Sequence, residues 1–187
     1  MVRAYTGEPV DPAALRRILH RARRAPSAGY SQGQRFAVVT DPELRGRLAD
    51  AAGEPGYVAR GFDPWLSRAP VHIVLCASAE AYRQRYAEPD KATSTPPDDW
   101  DVPFWWVDAG AALMLLLLAA VDERLAAGFT SIRAGSARAI LDLPDEWLPV
   151  GLVTLGHPAR DRRSGSLARG ALPFAEVVRP FGADLPE

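Results

Sequence analysis

The sequence predicts a single α+β domain, and three observations support that class. Apolar residues recur at helical spacing, as they do between Leu15 and Ala22. Short valine-rich runs at 35–40, 71–77 and 149–158 are typical of strands. The two patterns mix without a regular βαβ alternation, so we expect helices packed on a central sheet rather than a doubly wound parallel sheet.

Composition excludes several kinds of protein. The 187 residues suffice for one domain with a full core, and the net charge of -1 gives no basic surface for nucleic acid. Cys76 is the one cysteine and the three histidines are scattered, so neither a disulfide nor a metal site is expected. The sequence has no G-x-S-x-G motif and no phosphate-binding loop. An enzyme of this sequence would therefore depend on a bound organic cofactor, with no catalytic side chain of its own.

Three helices are predicted from their starts. Asp11 and Asp41 each precede a proline, the pairing of an N-cap with a proline in the first helical position. Ser78 is expected to cap a short helix that reaches Tyr86. Residues 53–68 have no clear period and are expected to be irregular.

The segment 104–128 is predicted to form one long helix that is apolar on nearly all sides. Its continuous apolar run, 109–121, has about 13 residues, fewer than the ~20 of a membrane span. We therefore expect a core or interface helix and no membrane contact. No apolar segment opens the chain, so a cytoplasmic location is expected.

Residues 26–32 interrupt the helical pattern just before the first predicted strand. Small residues there would let backbone amides approach a flat, polar ring, and the two larger side chains would add a stacking surface and an amide. The local sequence alone favours a plain helix-to-strand connector, in which Pro and Gly are common. The residues concerned are Pro26, Ser27, Ala28, Gly29, Tyr30 and Gln32.

Two arginines near the chain ends are further candidates. Arg3 would suit a cofactor's phosphate or the pyrimidine edge of its ring, because the guanidinium donors form a planar fork. Arg169, in the segment SLARGALPF, is the second. Arginines at such positions are usually solvated, so neither is specific by itself.

Together, these segments resemble the nitroreductase family of FMN-dependent NAD(P)H oxidoreductases over essentially the whole chain. The resemblance is carried, in family order, by VRAYTGEPVD, ARRAPSAGYSQGQRFAVVTD, FWWVDAGAALMLLLLAAVDERLAAGF, LPVGLVTLGHPARD and ARGALPFAEVV. The sequence is most similar to an actinobacterial-type subset in which an aromatic residue follows PSAG.

The resemblance implies a homodimer with a mixed central sheet flanked by helices and a long central helix at the dimer interface. One domain would span 1–187, and a C-terminal arm, 160–187, would wrap onto the partner. Two FMN molecules would lie at the interface, each touched by both subunits. The resemblance therefore explains why the 104–128 helix lacks a polar face.

The resemblance also implies a role for each candidate residue. The 26–32 segment would border the isoalloxazine ring, with backbone contacts from Ser27 and Ala28 near its reactive edge. Arg3 would reach the pyrimidine edge or the ribityl oxygens, and Arg169 the phosphate. Backbone at Ser131 and Ile132 would meet the ring from the other side.

Several positions depart from the family pattern, among them Arg124 and Ala126, which stand where glycines are frequent. Met1 stands where a phosphate-binding serine is usual, and the usual upstream arginine would precede it. Ala171 replaces a second phosphate arginine, and Tyr30 replaces a common asparagine. FMN is still expected, but several of its usual contacts would be missing.

The expected reaction is a ping-pong transfer of hydride from NAD(P)H through FMN to a small acceptor such as a nitroaromatic, a quinone or another conjugated molecule. The loop 88–103, with aromatic residues inside it and just after it, would wall the acceptor pocket, because aromatic rings supply flat stacking surfaces. Those residues are Trp100, Phe104 and Trp105, with interface packing the alternative for Trp105. Two other functions remain open: a flavin carrier or sensor without turnover, and a flavin-dependent dehydrogenase or oxidase that acts on a metabolite.

Overall fold

The computed structural model describes residues 2–161 and 164–182. Four strands form one sheet in the order β1-β2-β4-β3. The strands are β1 Gln34–Val39, β2 Val71–Ala77, β3 Ala126–Thr130 and β4 Leu148–Gly156.

All neighbouring strands in this sheet are antiparallel, which corrects the expected mixed sheet. The connections explain the direction. The chain leaves β1 at Val39 and enters β2 at Val71, and Val39 lies opposite His72 in the register. Because the chain re-enters the sheet at the end where it left, the two strands must run in opposite directions.

The predicted helix starts are confirmed. Asp11 accepts hydrogen bonds from the amides of residues 13 and 14, Asp41 from residue 44, and Ser78 from residue 81. Residues 53–68, expected to be irregular, contain two short helices. The helices are α1 Pro12–Ala22, α2 Pro42–Ala51, α3 Glu54–Val58, α4 Trp65–Arg68, α5 Ala79–Tyr86, α6 Phe104–Asp122, α7 Ala134–Leu141 and α8 Phe174–Val177.

Helix α6 ends at Asp122 rather than at residue 128, so the predicted single long helix was wrong at its C-terminal end. Arg124 adopts a left-handed φ of 58°, and the amide of Leu125 donates to the carbonyl of Ala120 at 2.8 Å. This pattern closes a helix end. The following Ala-Ala-Gly run lacks the usual strand residues and becomes β3 because it pairs with β4.

The inner face of α6 packs against α1 and the sheet, where Leu116 and Ala120 join Ile18 and Ile73 in one core cluster. Its outer face is apolar but exposed. The most exposed members of that face, which we call the α6 outer face, are Met114, Leu118 and Val121.

The length argument against a membrane span also needs correction. Helix α6 has 19 residues and a mean hydropathy of 2.0, so by length and composition it is able to cross a membrane. The core helix of a soluble protein passes the same test. The inner face of α6 packs against α1 and the sheet, and 33% of its most apolar window is buried.

The N-terminal segment is fixed to the sheet by backbone hydrogen bonds. The amide of Val2 donates to Ala127, Thr6 donates to His157, and Ala159 donates to Ala4. At the other end, the predicted 160–187 arm is not wholly extended, since it contains a 3₁₀ turn at Gly165–Arg169 and helix α8. Residues 1, 162–163 and 183–187 of the predicted domain and arm lie outside the described residues.

Candidate functional site

The 26–32 turn has an unusual backbone. Gly29, Tyr30 and Gln32 all have left-handed φ values, of 60°, 59° and 51°. Ser27 stabilises this path twice: its carbonyl accepts from the amide of Tyr30 and its Oγ accepts from the amide of Gln32, both at 2.8 Å. A plain connector does not require three left-handed residues, because each non-glycine one is energetically unfavourable.

Two tyrosines of α5 pack directly against the backbone of the turn and of the residue that follows it. Tyr82 and Tyr86 are four residues apart and therefore lie on one face of the helix. A Cβ atom at Gly29 would lie 2.6 Å from Cε2 of Tyr86, and one at Gly33 would lie 2.2 Å from Cε2 of Tyr82. Glycine is required at both positions because the backbone rests directly on the rings. Arg85 adds a hydrogen bond from Nε to the carbonyl of Gly29, at 2.8 Å.

Asp108 of α6 connects the turn to the core. Its side chain is buried, and Oδ2 accepts from the amide of Ala28 at 2.9 Å and from the hydroxyl of Tyr82 at 2.6 Å. Burial first, and Asp108 second, raise the pKa of Tyr82, so this hydroxyl stays protonated and donates. The Ala28 amide therefore donates within the protein, and the backbone contacts of Ser27 and Ala28 with the ring stay a prediction.

Trp100 is the centre of an aromatic cluster next to the turn. Its ring centroid lies 4.9 Å from that of Tyr86, 5.3 Å from that of Phe104 and 6.2 Å from that of Trp105. Tyr86, Trp100 and Phe104 line an open cleft of about 560 Å³, the acceptor cleft below. Trp105 is not among the lining residues of that cleft and instead packs behind Trp100, against Tyr82.

The loop 88–103 is fixed to α5 by two exposed ion pairs. Arg83 contacts Asp98 at 2.9 Å, and Arg85 contacts Asp90 at 2.7 Å. The hydrogen bonds from these arginines hold the pKa of both carboxyl groups below the usual range. Helix α5 therefore joins the 26–32 turn to the aromatic loop.

Arg3 lies elsewhere, in a cleft of about 620 Å³. Its backbone amide donates to Asp161 at 2.8 Å. Sequence reasoning missed Arg160, a second cation in the same cleft. Arg169 is exposed on the 165–169 turn and is not one of the residues that line the cleft. The cleft, called the Arg3 cleft below, is lined by Arg3, Ala4, Gly61, Phe62, Asp63, Trp65, Arg160, Asp161, Ser164 and Gly165.

The sheet register separates the predicted residues into two groups. Ser131 and Ile132 follow β3 directly, toward the end of the sheet where β1 begins after the 26–32 turn. Val2, next to Arg3, pairs with Ala127 near the other end of β3. Ala127 and Ser131 are four residue steps apart along the strand, which is about 13 Å. Within one chain, Arg3 therefore lies away from the other predicted ring contacts.

The buried titratable groups do not suit acid–base or nucleophilic chemistry. Burial raises the pKa of the Cys76 thiol to about 12 and lowers the pKa of His72 to about 4. Within residues 2–161 and 164–182, no three His, Cys, Asp or Glu side chains are grouped to hold a metal ion.

Comparison with known proteins gives the family. The pattern described as "Nitroreductase family" matches residues 1–157. The chain belongs to the nitroreductase family. Both the sequence resemblance and the fold class of this nitroreductase-family protein are confirmed.

Individual relatives agree with this family. The chain is 32% identical to an FMN reductase [NAD(P)H] of Bacillus subtilis over 169 residues, which is 84% of this chain and 62% of that protein. It is 30% identical to an NADH dehydrogenase of Thermus thermophilus, over 86% of this chain and 83% of that one. The fold matches a nitroreductase family protein from Streptococcus pneumoniae with a TM-score of 0.76 at 22% identity, covering 96% and 94% of the two chains.

Proposed function

We propose that this nitroreductase-family protein is an NAD(P)H-dependent flavin oxidoreductase that binds FMN and reduces a small conjugated acceptor, such as a nitroaromatic or a quinone, by a ping-pong mechanism. The observation that carries the proposal is the 26–32 turn, whose backbone is held in a strained path beside an aromatic cleft. Backbone strain of this kind is concentrated at functional sites. The family match and the names of the relatives point to the same chemistry.

The residues present fit FMN in three respects. Arg3 and Arg160 provide two cations in one cleft, suited to a phosphate or to the ring's pyrimidine edge. The turn leaves the amide of Gly29 without an acceptor among the described residues. Ser131 follows β3 directly and is an exposed residue, so we expect its peptide groups to reach a ring. We assign ring contacts to the turn and to 131–132, the pyrimidine edge or the ribityl oxygens to Arg3, and phosphate contacts to Arg160, with Arg169 as a further candidate for the phosphate.

When bound, FMN would take a hydride from NAD(P)H and deliver electrons to the acceptor. The chain's own contribution is to bind, orient and stabilise. Arg3 would place a cation where negative charge develops during reduction. Trp100 and Phe104 would stack a flat acceptor in the acceptor cleft, while Trp105 would hold Trp100 in place.

Two features support a homodimer. The α6 outer face exposes Leu118 by 59% and Val121 by 67%, and an apolar surface of that kind is typical of an interface. The separation of Arg3 from the turn along the sheet also supports two chains, because a second copy would supply one of these groups to the cofactor held by the other. A cytoplasmic location and the absence of nucleic-acid partners stay predictions from the sequence.

The test is spectroscopic. We expect the purified protein to be a yellow dimer, or to take up added FMN, and NADH or NADPH to bleach its visible absorbance under anaerobic conditions. Reoxidation by an added nitroaromatic or quinone, with parallel lines in double-reciprocal plots, would support the ping-pong reaction. A colourless protein that ignores FMN contradicts the proposal. Bound flavin that neither nucleotide reduces would favour a carrier, or an oxidase if a metabolite alone drives oxygen consumption.

A further inference from the structure

We propose that Asp108 is a positioning residue of the cofactor site, which fixes the 26–32 turn to helix α6 and so holds the ring-facing backbone in register with the dimer interface. The inference rests on the proposed function. Asp108 itself would not touch the cofactor, because its hydrogen bonds run to Ala28 and Tyr82.

The first argument is energetic. Asp108 is 8% exposed and lies on the inner face of an otherwise apolar stretch of α6. No cation pairs with it among the ion pairs of the described residues. A buried carboxylate is unfavourable unless hydrogen bonds compensate it, so an apolar residue would serve better for packing alone. The presence of a buried carboxylate at Asp108 is therefore explained by its hydrogen bonds to Ala28 and Tyr82.

The second argument concerns what Asp108 does to the turn. By accepting from Ala28, it sets the orientation of the peptide group between Ser27 and Ala28. The next residue, Gly29, is left-handed and has a free amide among the described residues. If the Ala28 amide lost its acceptor, the turn could relax toward commoner backbone angles and the Gly29 amide would change direction.

The third argument concerns the choice of helix. Asp108 lies on the inner side of α6, while Leu118 and its neighbours form the exposed outer side. A cofactor touched by both subunits needs the turn to stay fixed relative to the helix that meets the partner. The bond from Ala28 to Asp108 makes that connection in one step, and Tyr82 extends it to the aromatic cluster.

The experiment compares two changes at Asp108 with one at Asp122, the exposed aspartate at the end of the same helix. Asp108→Leu keeps the branching at Cγ and removes both acceptor oxygens. Asp108→Asn keeps an amide oxygen that can take the place of Oδ2 and accept from both Ala28 and Tyr82. Asp122→Leu is the matched control. For each, we would measure amide hydrogen exchange at Ala28 in the free protein, and the FMN dissociation constant and visible absorption band after loading.

In D108L we expect the amide hydrogen of Ala28 to exchange at least about tenfold faster, because this amide loses its buried acceptor. The FMN dissociation constant should rise on the order of tenfold for the same reason. The visible absorption band of the flavin bound to D108L should shift. For D108N, the exchange rate and the FMN dissociation constant should stay within about threefold of the wild-type values, and for D122L both should equal the wild-type values. If D108L does not fold, Asp108→Ser, too short to reach Ala28, carries the same test.

The two proposals fail separately. A wild-type protein that binds no FMN defeats the proposed function, yet faster exchange at Ala28 in D108L would still support Asp108 as the residue that fixes the turn. Unchanged exchange in a folded D108L overturns the inference even if wild type binds FMN. So does unchanged FMN affinity with an unshifted band.

Discussion

Gly29 lies directly on the ring of Tyr86, so close that a Cβ atom at residue 29 would be 2.6 Å from Cε2 of the tyrosine. The same tyrosine contacts Trp100, with ring centroids 4.9 Å apart. One side chain thus supports the 26–32 turn and one wall of the acceptor cleft. A change at any of the three residues should therefore be felt at the other two.

Gly29→Ala should destabilise the protein by about 3 kcal/mol, because it combines an overlap with Tyr86 and a left-handed φ that alanine adopts poorly. FMN affinity should fall with it. Gly46→Ala in α2 is the control, since its Cβ would meet open space and should stabilise by about 0.5–1 kcal/mol. Urea unfolding and flavin titration measure both. Equal stability of the two variants would contradict the close contact.

Leu118→Glu or Met114→Glu should convert the protein to a monomer. Both side chains are exposed on the α6 outer face, and a buried, unpaired carboxylate at an interface is strongly unfavourable. Sedimentation equilibrium gives the mass, and FMN content should fall in parallel. Val58→Glu, at an exposed apolar residue of α3, should leave the mass unchanged. A dimer that survives both α6 changes would place the interface elsewhere.

Trp100→Leu should raise the KM for an aromatic acceptor by about fivefold, since a stacking contact contributes of the order of 1 kcal/mol. Reduction of the bound flavin by NAD(P)H, followed by stopped flow, should change much less. Trp147→Leu, in a different hydrophobic cluster, is the control for the loss of an indole. Equal KM values for the acceptor in wild type and W100L would remove the acceptor cleft from the mechanism.

Arg160→Gln should weaken FMN binding by about tenfold and reduce its dependence on salt, because a charge-assisted contact to phosphate is lost. Arg47→Gln, at an exposed arginine of α2, should bind as wild type does. Arg169→Gln separates the two candidates. If only R169Q weakens FMN binding, Arg169 is the phosphate contact, as the family resemblance implies. The assignment of the phosphate to Arg160 would then be wrong.

His72 should make stability depend on pH. Burial lowers its pKa from 6.5 to about 4, with a smaller lowering by Arg45, while the hydrogen bond to Leu66 and the charge of Glu54 raise it. Between those values the unfolded chain binds a proton that the folded chain does not. Stability is therefore complete above pH 6.5 and falls by roughly 3 kcal/mol as the pH drops toward 4.

The variant His72→Gln tests this dependence, because glutamine can still donate to the carbonyl of Leu66. Urea unfolding between pH 4 and 7 should show a flatter profile for H72Q than for wild type. His20→Gln, on the exposed side of α1, should keep the wild-type slope. A wild-type slope in H72Q would assign the acid sensitivity to other groups.

Local signals in the sequence predicted much of the fold. The N-caps at Asp11, Asp41 and Ser78 lie where they were predicted, because capping depends on a side chain and amides two or three residues away. The buried strand β2 was predicted with its bounds, since a continuous apolar run has few other uses. Strand β3 was not predicted because its alanines and glycine have a low preference for strands. They adopt the extended conformation because they pair with β4.

For the site, the sequence by itself determined the family, the 26–32 turn and the aromatic residues near 100, because each is a run of neighbouring residues with a recognisable composition. Tertiary structure alone decided that Asp108 takes the Ala28 amide, that Tyr86 lies under Gly29, and that Arg160 joins Arg3. These contacts join residues 57 to 157 positions apart in the chain. Such pairings leave no periodic trace in the sequence, since they depend on how helices and sheet pack together.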